Sequence, residues 1–177
     1  MDQQLQNILN SVNQWLTFAE AKNLGLVALS GAAAFSAASI LISRQSLPQW
    51  ICVYLGILIF FAAIGLAASL YSLLPSTNLG ITKAGKKPSL QTNLLFYGHL
   101  AAYAPKELVE ELQERMGLGK QQILPIHLEY AQQIIVNSRI ALHKYHCFRI
   151  SALMVFAGVV TPLGALPAWL WSQRTLR

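Results

Sequence analysis

LGLVALSGAAAFSAASILIS, residues Leu24–Ser43, contains no Asp, Glu, Lys or Arg. As a helix rising 1.5 Å per residue, twenty such residues span about 30 Å, the thickness of a bilayer's hydrocarbon core. In hydrocarbon every backbone N–H and C=O must find its partner within the chain, so this block reads as helix and not strand. Two further blocks share its length and lack of charge, Ile51–Leu74 and Ile150–Trp171. The whole chain is 54% hydrophobic and 11% charged, whereas soluble domains carry about 25% charged residues. Three such blocks in 177 residues argue against a soluble bundle. They predict an all-α integral membrane protein with three transmembrane helices, a hairpin plus one, and a helical cytoplasmic insert.

Working outward divides the chain into 1–23, an amphipathic N-terminal helix; 24–74, a transmembrane hairpin; 75–149, a helical cytoplasmic segment; and 150–177, the third transmembrane helix with an outer tail. Before the first block, Leu5, Ile8, Leu9, Val12, Trp15, Leu16 and Ala19 recur at helical spacing, one apolar face that suits a packed lead-in helix or a gating arm. This polar, helix-patterned start is unlike a secretory signal peptide. Arg44 to Gln49, with Pro48, is a tight turn between the first two helices. Residues 75–92, with Gly80, Gly85, Pro88 and Lys83, Lys86 and Lys87, read as an irregular basic linker. Asn93 to Ala104 reads as a turn-helix. Pro105 at a first helical position and a stop at Gly117 frame a three-turn helix. A longer pattern then runs from Pro125 through Ile126, Tyr130, Ile134, Asn137, Leu142 and Tyr145 into the third block as one rod. Pro162 within that block predicts a kink.

Orientation follows the basic residues. With three crossings, ten Lys and Arg share a side with the N-terminus and the 75–149 segment, against three on the other. The positive-inside bias places that side in the cytoplasm. Trp50, Trp169 and Trp171 then fall at the outer interface, where amphipathic rings settle.

Small residues Gly25, Ala28, Ala32, Ser36, Ser39 and Ser43 lie near one face of the first membrane helix. They suit close helix packing, in the hairpin or a homo-oligomer, and the serines also suit a pore lining.

Chemical motifs are sparse. Gly80-Ile81-Thr82-Lys83-Ala84-Gly85-Lys86-Lys87 approaches a phosphate-binding loop, but Lys87 stands where the magnesium-binding hydroxyl belongs, and a membrane helix precedes it instead of a core strand. His143, His146 and Cys147 have helical spacing without the further ligands a zinc site needs. His99 and His127 have no carboxylate or nucleophile in a recognisable arrangement. Cys52 and Cys147 suggest no disulfide framework. Glu107, Glu110, Glu111 and Glu114 read as a solvated helix face. The expectation is no catalytic residue, no metal and no nucleic-acid partner.

Ala19-Glu20-Ala21-Lys22, Asn93-Leu94-Leu95-Phe96-Tyr97-Gly98-His99, and Gln133-Ile134-Ile135-Val136-Asn137-Ser138-Arg139-Ile140-Ala141-Leu142-His143-Lys144-Tyr145 with Arg149 resemble the transmembrane effectors of bacterial Pycsar antiphage defence, over about residues 10–160. The family often has Asp where Glu20 stands. The resemblance implies a protein of the inner membrane that works with a pyrimidine nucleotide cyclase. On sensing cyclic CMP or cyclic UMP through its 75–149 segment, it would impair the membrane and abort infection. A basic cytoplasmic face is compatible with a cyclic phosphate, and Tyr97, Tyr103 or Tyr145 with stacking on a pyrimidine. On that footing Asn93, Tyr97, Asn137, Lys144, Tyr145 and Arg149 are the candidate ligand residues, and membrane lipids and further copies of the chain the expected neighbours. The alternative is a non-conducting adaptor that recruits a soluble partner through the acidic face of residues 106–114.

Overall fold

A computed structural model describes residues 1–43, 47–74, 93–119 and 122–175, with side chains to Thr161. The linker lysines and the near phosphate-binding loop, Arg44, Pro162, Trp169 and Trp171 therefore lie outside the residues or side chains described. Among the described residues the chain is helical, without strands. The helices are α1 (Asp2–Ile42), α2 (Gln49–Leu73), α3 (Tyr97–Leu100), α4 (Pro105–Arg115) and α5 (Pro125–Thr175). They form two compact units: Met1–Glu20 with Pro75–Tyr145, and Ala21–Leu74 with His146–Arg177. No residue breaks α1 at position 23, so the amphipathic stretch and the first apolar block are one helix. α5 runs uninterrupted from Pro125, the expected rod.

In the first unit, Leu5, Ile8, Val12 and Ala19 are buried, the stripe expected of the N-terminal helix. Trp15 is the exception, 40% exposed, because it lies on the stripe's flank. Leu5, Ile8 and Val12 join Leu100, Leu108, Val109, Leu112, Ile134 and Ile135 in one core, each buried aliphatic side chain contributing roughly 1.5–3 kcal/mol. The N-terminal stretch is thus packed as part of this unit.

Local chemistry sets the element ends. Asn93 Oδ1 accepts the Leu95 N–H at 2.8 Å, and His99 Nδ1 accepts the Asn93 N–H at 3.0 Å, closing the turn before α3. α4 starts at Pro105, and Glu107 reaches back to the Ala104 N–H at 3.3 Å. It ends as Leu118 N–H bonds Gln113 O and Gly117 N–H bonds Glu114 O. Gly117 holds φ at 65°, which a residue with a Cβ rarely adopts. At the start of α5, His127 bonds the Leu124 N–H through Nδ1 and Asp2 through Nε2 at 2.8 Å. The carboxylate that meets His127 thus comes from the start of α1.

The buried stripe of α5 is offset from the one expected. Ile126 and Leu142 are 45% and 46% exposed. Ile134 is buried as expected, and with it His127, Ala131, Ile135, Ser138, Ala141 and Lys144. Small and polar residues share the inner face with the two isoleucines, and a search for large apolar side chains misses the small and polar ones.

In the second unit, α2 buries Leu55, Ala62, Gly65, Ser69 and Ser72, and α5 buries Cys147, Ser151 and Gly158. A Cβ at Gly65 would meet Val155 at 3.1 Å and Ser151 O at 3.2 Å; one at Gly158 would meet Phe61 Cβ at 3.0 Å. Ser69 O–H donates to Ser151 Oγ at 2.8 Å, and Ser151 O–H donates to Gly65 O at 2.7 Å. Close small-residue packing therefore joins α2 to α5. The seam expected on α1 is elsewhere: Gly25, Ala28, Ala32, Ser36, Ser39 and Ser43 are all exposed, and a Cβ at Gly25 would meet nothing within 4 Å. α1 turns Asn23, Ser30 and Ala37 inward instead, at intervals of seven residues.

α1 and α2 are long and apolar enough to cross a membrane. The third expected crossing is helical within α5.

Candidate functional site

In the first unit aromatic rings gather where α1, α3 and α5 meet. Tyr97 and Tyr145 stack at 5.0 Å between centroids, 14° apart in plane. Trp15 lies 5.8 Å from Tyr97, and Phe96 lies 4.6 Å from Tyr97 and 5.3 Å, edge-on, from His99. Burial raises the pKa of both tyrosines above the ordinary 10.0, and for Tyr145 the neighbouring Tyr97 adds to the rise. Both rings are neutral phenols at physiological pH.

Beside this cluster opens a cleft of about 550 Å³ lined by Ser11, Gln14, Trp15, Phe18, Asn93, Leu95 and Phe96. This volume is typical of small-molecule sites, as is an apolar lining with few polar groups. None of these lining residues is charged.

Among the six residues expected to bind ligand, Tyr97 and Tyr145 are brought into contact. Asn93 lines the cleft. Tyr97 and Tyr145 stand behind it with ring faces turned to each other, and Tyr103 is core, 4% exposed. Asn137 donates to Asn13 Oδ1 at 2.7 Å and accepts from Gln133 at 2.9 Å. Lys144 pairs with Glu20 at 3.2 Å. Arg149 is exposed and belongs to the second unit. Sequence reasoning missed Gln14, Trp15 and Phe18 as site residues and left Phe96 as part of a motif. The available signal was Trp15 itself, a large ring at the edge of an otherwise buried stripe.

Other groups have structural roles. Arg139 Nε donates to Ala101 O at 3.0 Å, and Gln6 donates to Tyr130 Oη at 3.1 Å. On α4, Arg115 pairs with Glu111 at 2.7 Å and Lys106 with Glu110 at 3.7 Å. Bases on the same helix thus partly neutralise the acidic face that an adaptor would present. Among the described residues, no group of three or more His, Cys, Asp or Glu is arranged to hold a metal. Cys147 is buried and His146 exposed on the same helix.

A family model described as the Pycsar effector protein domain matches residues 4–171. No curated protein and no solved structure shows significant similarity to the chain.

Proposed function

Because the chain belongs to the Pycsar effector family of antiphage defence, whose members function with a cyclase, we propose that it senses a cyclic pyrimidine mononucleotide and then impairs the inner membrane. The ligand is cyclic CMP or cyclic UMP made by the partner cyclase during infection, and the outcome is abortive infection. The family is not a known enzyme class, and the reading here is of a non-enzymatic effector.

One observation supports this reading above others. The first unit takes its core from the beginnings of α1 and α5, and both helices continue into the apolar second unit. A ligand that binds the first unit bears on helices that lead directly into the membrane. It activates only by binding two arrangements unequally; moving a population from 1:99 to 99:1 takes about a 10⁴-fold difference in affinity. The reading includes three crossings, a cytoplasmic N-terminus and 75–149 segment, and homo-oligomers surrounded by lipid. The exposed small-residue face of α1 is available for that assembly.

The test pairs binding with consequence. Calorimetry of purified protein should give heat with cyclic CMP or cyclic UMP and none with cyclic AMP or cyclic GMP. Cells expressing effector and cyclase should depolarise and stop growing on infection. Binding without depolarisation would favour an adaptor, and no binding would end the sensing reading.

A further inference from the structure

We infer, on the nucleotide-sensing reading above, that the ligand's base lies in the cleft beside the tyrosine stack, against Trp15 and Phe96, with Gln14 and Asn93 at its edge. Trp15 and Phe96 are 40% and 39% exposed, while the neighbouring Tyr97 and Tyr145 cover each other. Both keep ring surface open, as does Phe18 of the same lining at 52%, and every base offers a face that stacks on such rings whatever its hydrogen-bonding pattern. The edge is read separately. A carboxamide has both an acceptor oxygen and an N–H₂ donor. Asn93 Oδ1 already accepts the Leu95 N–H, which orients that amide so that its N–H₂ group serves an acceptor on the base. Gln14 has no such constraint among the bonds described, and by turning its amide it can meet a cytosine amino group or a uracil carbonyl. The described lining has no charge, so the cleft recognises the base and leaves the cyclic phosphate to groups outside it.

Gly98 adds an independent constraint. A Cβ there would fall 2.5 Å from Phe96 Cε1, so the phenyl ring keeps its place only because position 98 has no side chain. Gly98→Ala displaces that ring without adding an atom to the cleft lining, which makes Gly98 a positioning residue for Phe96.

Full-length protein in nanodiscs is titrated calorimetrically with cyclic CMP and cyclic UMP. Trp15→Ala and Phe96→Ala should each weaken binding about tenfold or more, as expected from stacking worth about 1–3 kcal/mol per base. Gly98→Ala should weaken it too, with helical circular dichroism unchanged. Trp15→Phe keeps a ring and should bind within about threefold of wild type, while ligand-induced quenching of tryptophan emission disappears. That variant tests the site even where Trp15→Ala does not fold. If Trp15→Phe retains the quenching, or Phe96→Ala and Gly98→Ala bind like wild type, the base lies elsewhere and this assignment fails while sensing stands. If these variants change the oligomeric mass and leave affinity intact, the cleft is a contact between copies, which also overturns it. If wild type binds no cyclic nucleotide, the sensing reading falls and the assignment with it.

Discussion

Glu20 and Lys144 join α1 to α5 through a 3.2 Å ion pair in which the lysine side chain is 10% exposed and the glutamate 46%. The asymmetry decides which substitution hurts more. Glu20→Ala takes the carboxylate from a buried ammonium, whereas Lys144→Ala leaves a carboxylate that water reaches. Glu20→Ala should destabilise the first unit by about 1–3 kcal/mol, below the 3–5 typical of fully buried pairs because one partner is half exposed. Lys144→Ala should cost less, and Glu20→Asp least. Thermal unfolding in detergent checks the order, and equal losses from the two alanine variants would show that burial of the lysine does not govern the pair.

The same pair bears on sensing. Lys144 already has a carboxylate partner, so Lys144→Ala should leave cyclic nucleotide affinity within about threefold of wild type while lowering stability. Loss of binding heat in a folded Lys144→Ala protein would return the lysine to the ligand site.

The tyrosine stack implies a pH response of definite sign. Burial favours the neutral phenol, so the stabilisation is fully present below the ordinary value of 10.0 and is lost as pH rises through the higher folded-state values of Tyr97 and Tyr145. Spectrophotometric titration should show Tyr97 and Tyr145 ionising above the ordinary phenol value. Tyr97→Phe should remove one of them and lessen the delay of Tyr145.

The α2–α5 seam and the exposed face of α1 respond differently to bulk. Gly65→Leu and Gly158→Leu must push apart helices that already touch, and each should cost about 1–3 kcal/mol. Ala32→Leu and Ser36→Leu enter open space within one chain, so the monomer should keep its stability. If copies assemble along this face, crosslinked oligomers and toxicity should fall. Unchanged oligomers in both α1 variants would leave that face to lipid.

Topology and transmission have direct tests. With native cysteines replaced, a cysteine at 85 should escape an impermeant thiol reagent in intact cells and one at 177 should react. Two glycines inserted after Ile140 interrupt α5 and should leave ligand binding in place while abolishing depolarisation. Full depolarisation by the insertion protein would remove α5 as the transmitting element.

How far these features were legible depends on their range. Pro105, Gly117 and Pro125 punctuate the backbone locally, and α4 and α5 begin or end beside them as read. The apolar blocks are equally local, since charge-free length is a property of the string. Long-range choices were hidden. Periodicity assigned Gly25, Ala28 and Ala32 to one face of α1, but nothing in α1 alone says which face meets a neighbour, and Asn23, Ser30 and Ala37 turned inward. Likewise Glu20 with Lys144, and Asp2 with His127, are pairs between distant segments. Trp15 was placed with the core because hydrophobicity scores a ring without asking whether the packed stripe has room for it.

The hydroxyl chain from Ser69 through Ser151 to the Gly65 carbonyl has the form of a detent. In a slab of hydrocarbon, where no water can substitute, sliding α2 along α5 by a fraction of a turn breaks both bonds before any replacement is in reach. The next hydroxyl on the buried face of α2 is Ser72, about 4.5 Å further along the axis. On the reading in which both helices cross the bilayer, motion of this pair along its length would therefore proceed in clicks of nearly a turn, with discrete settings instead of a continuous range.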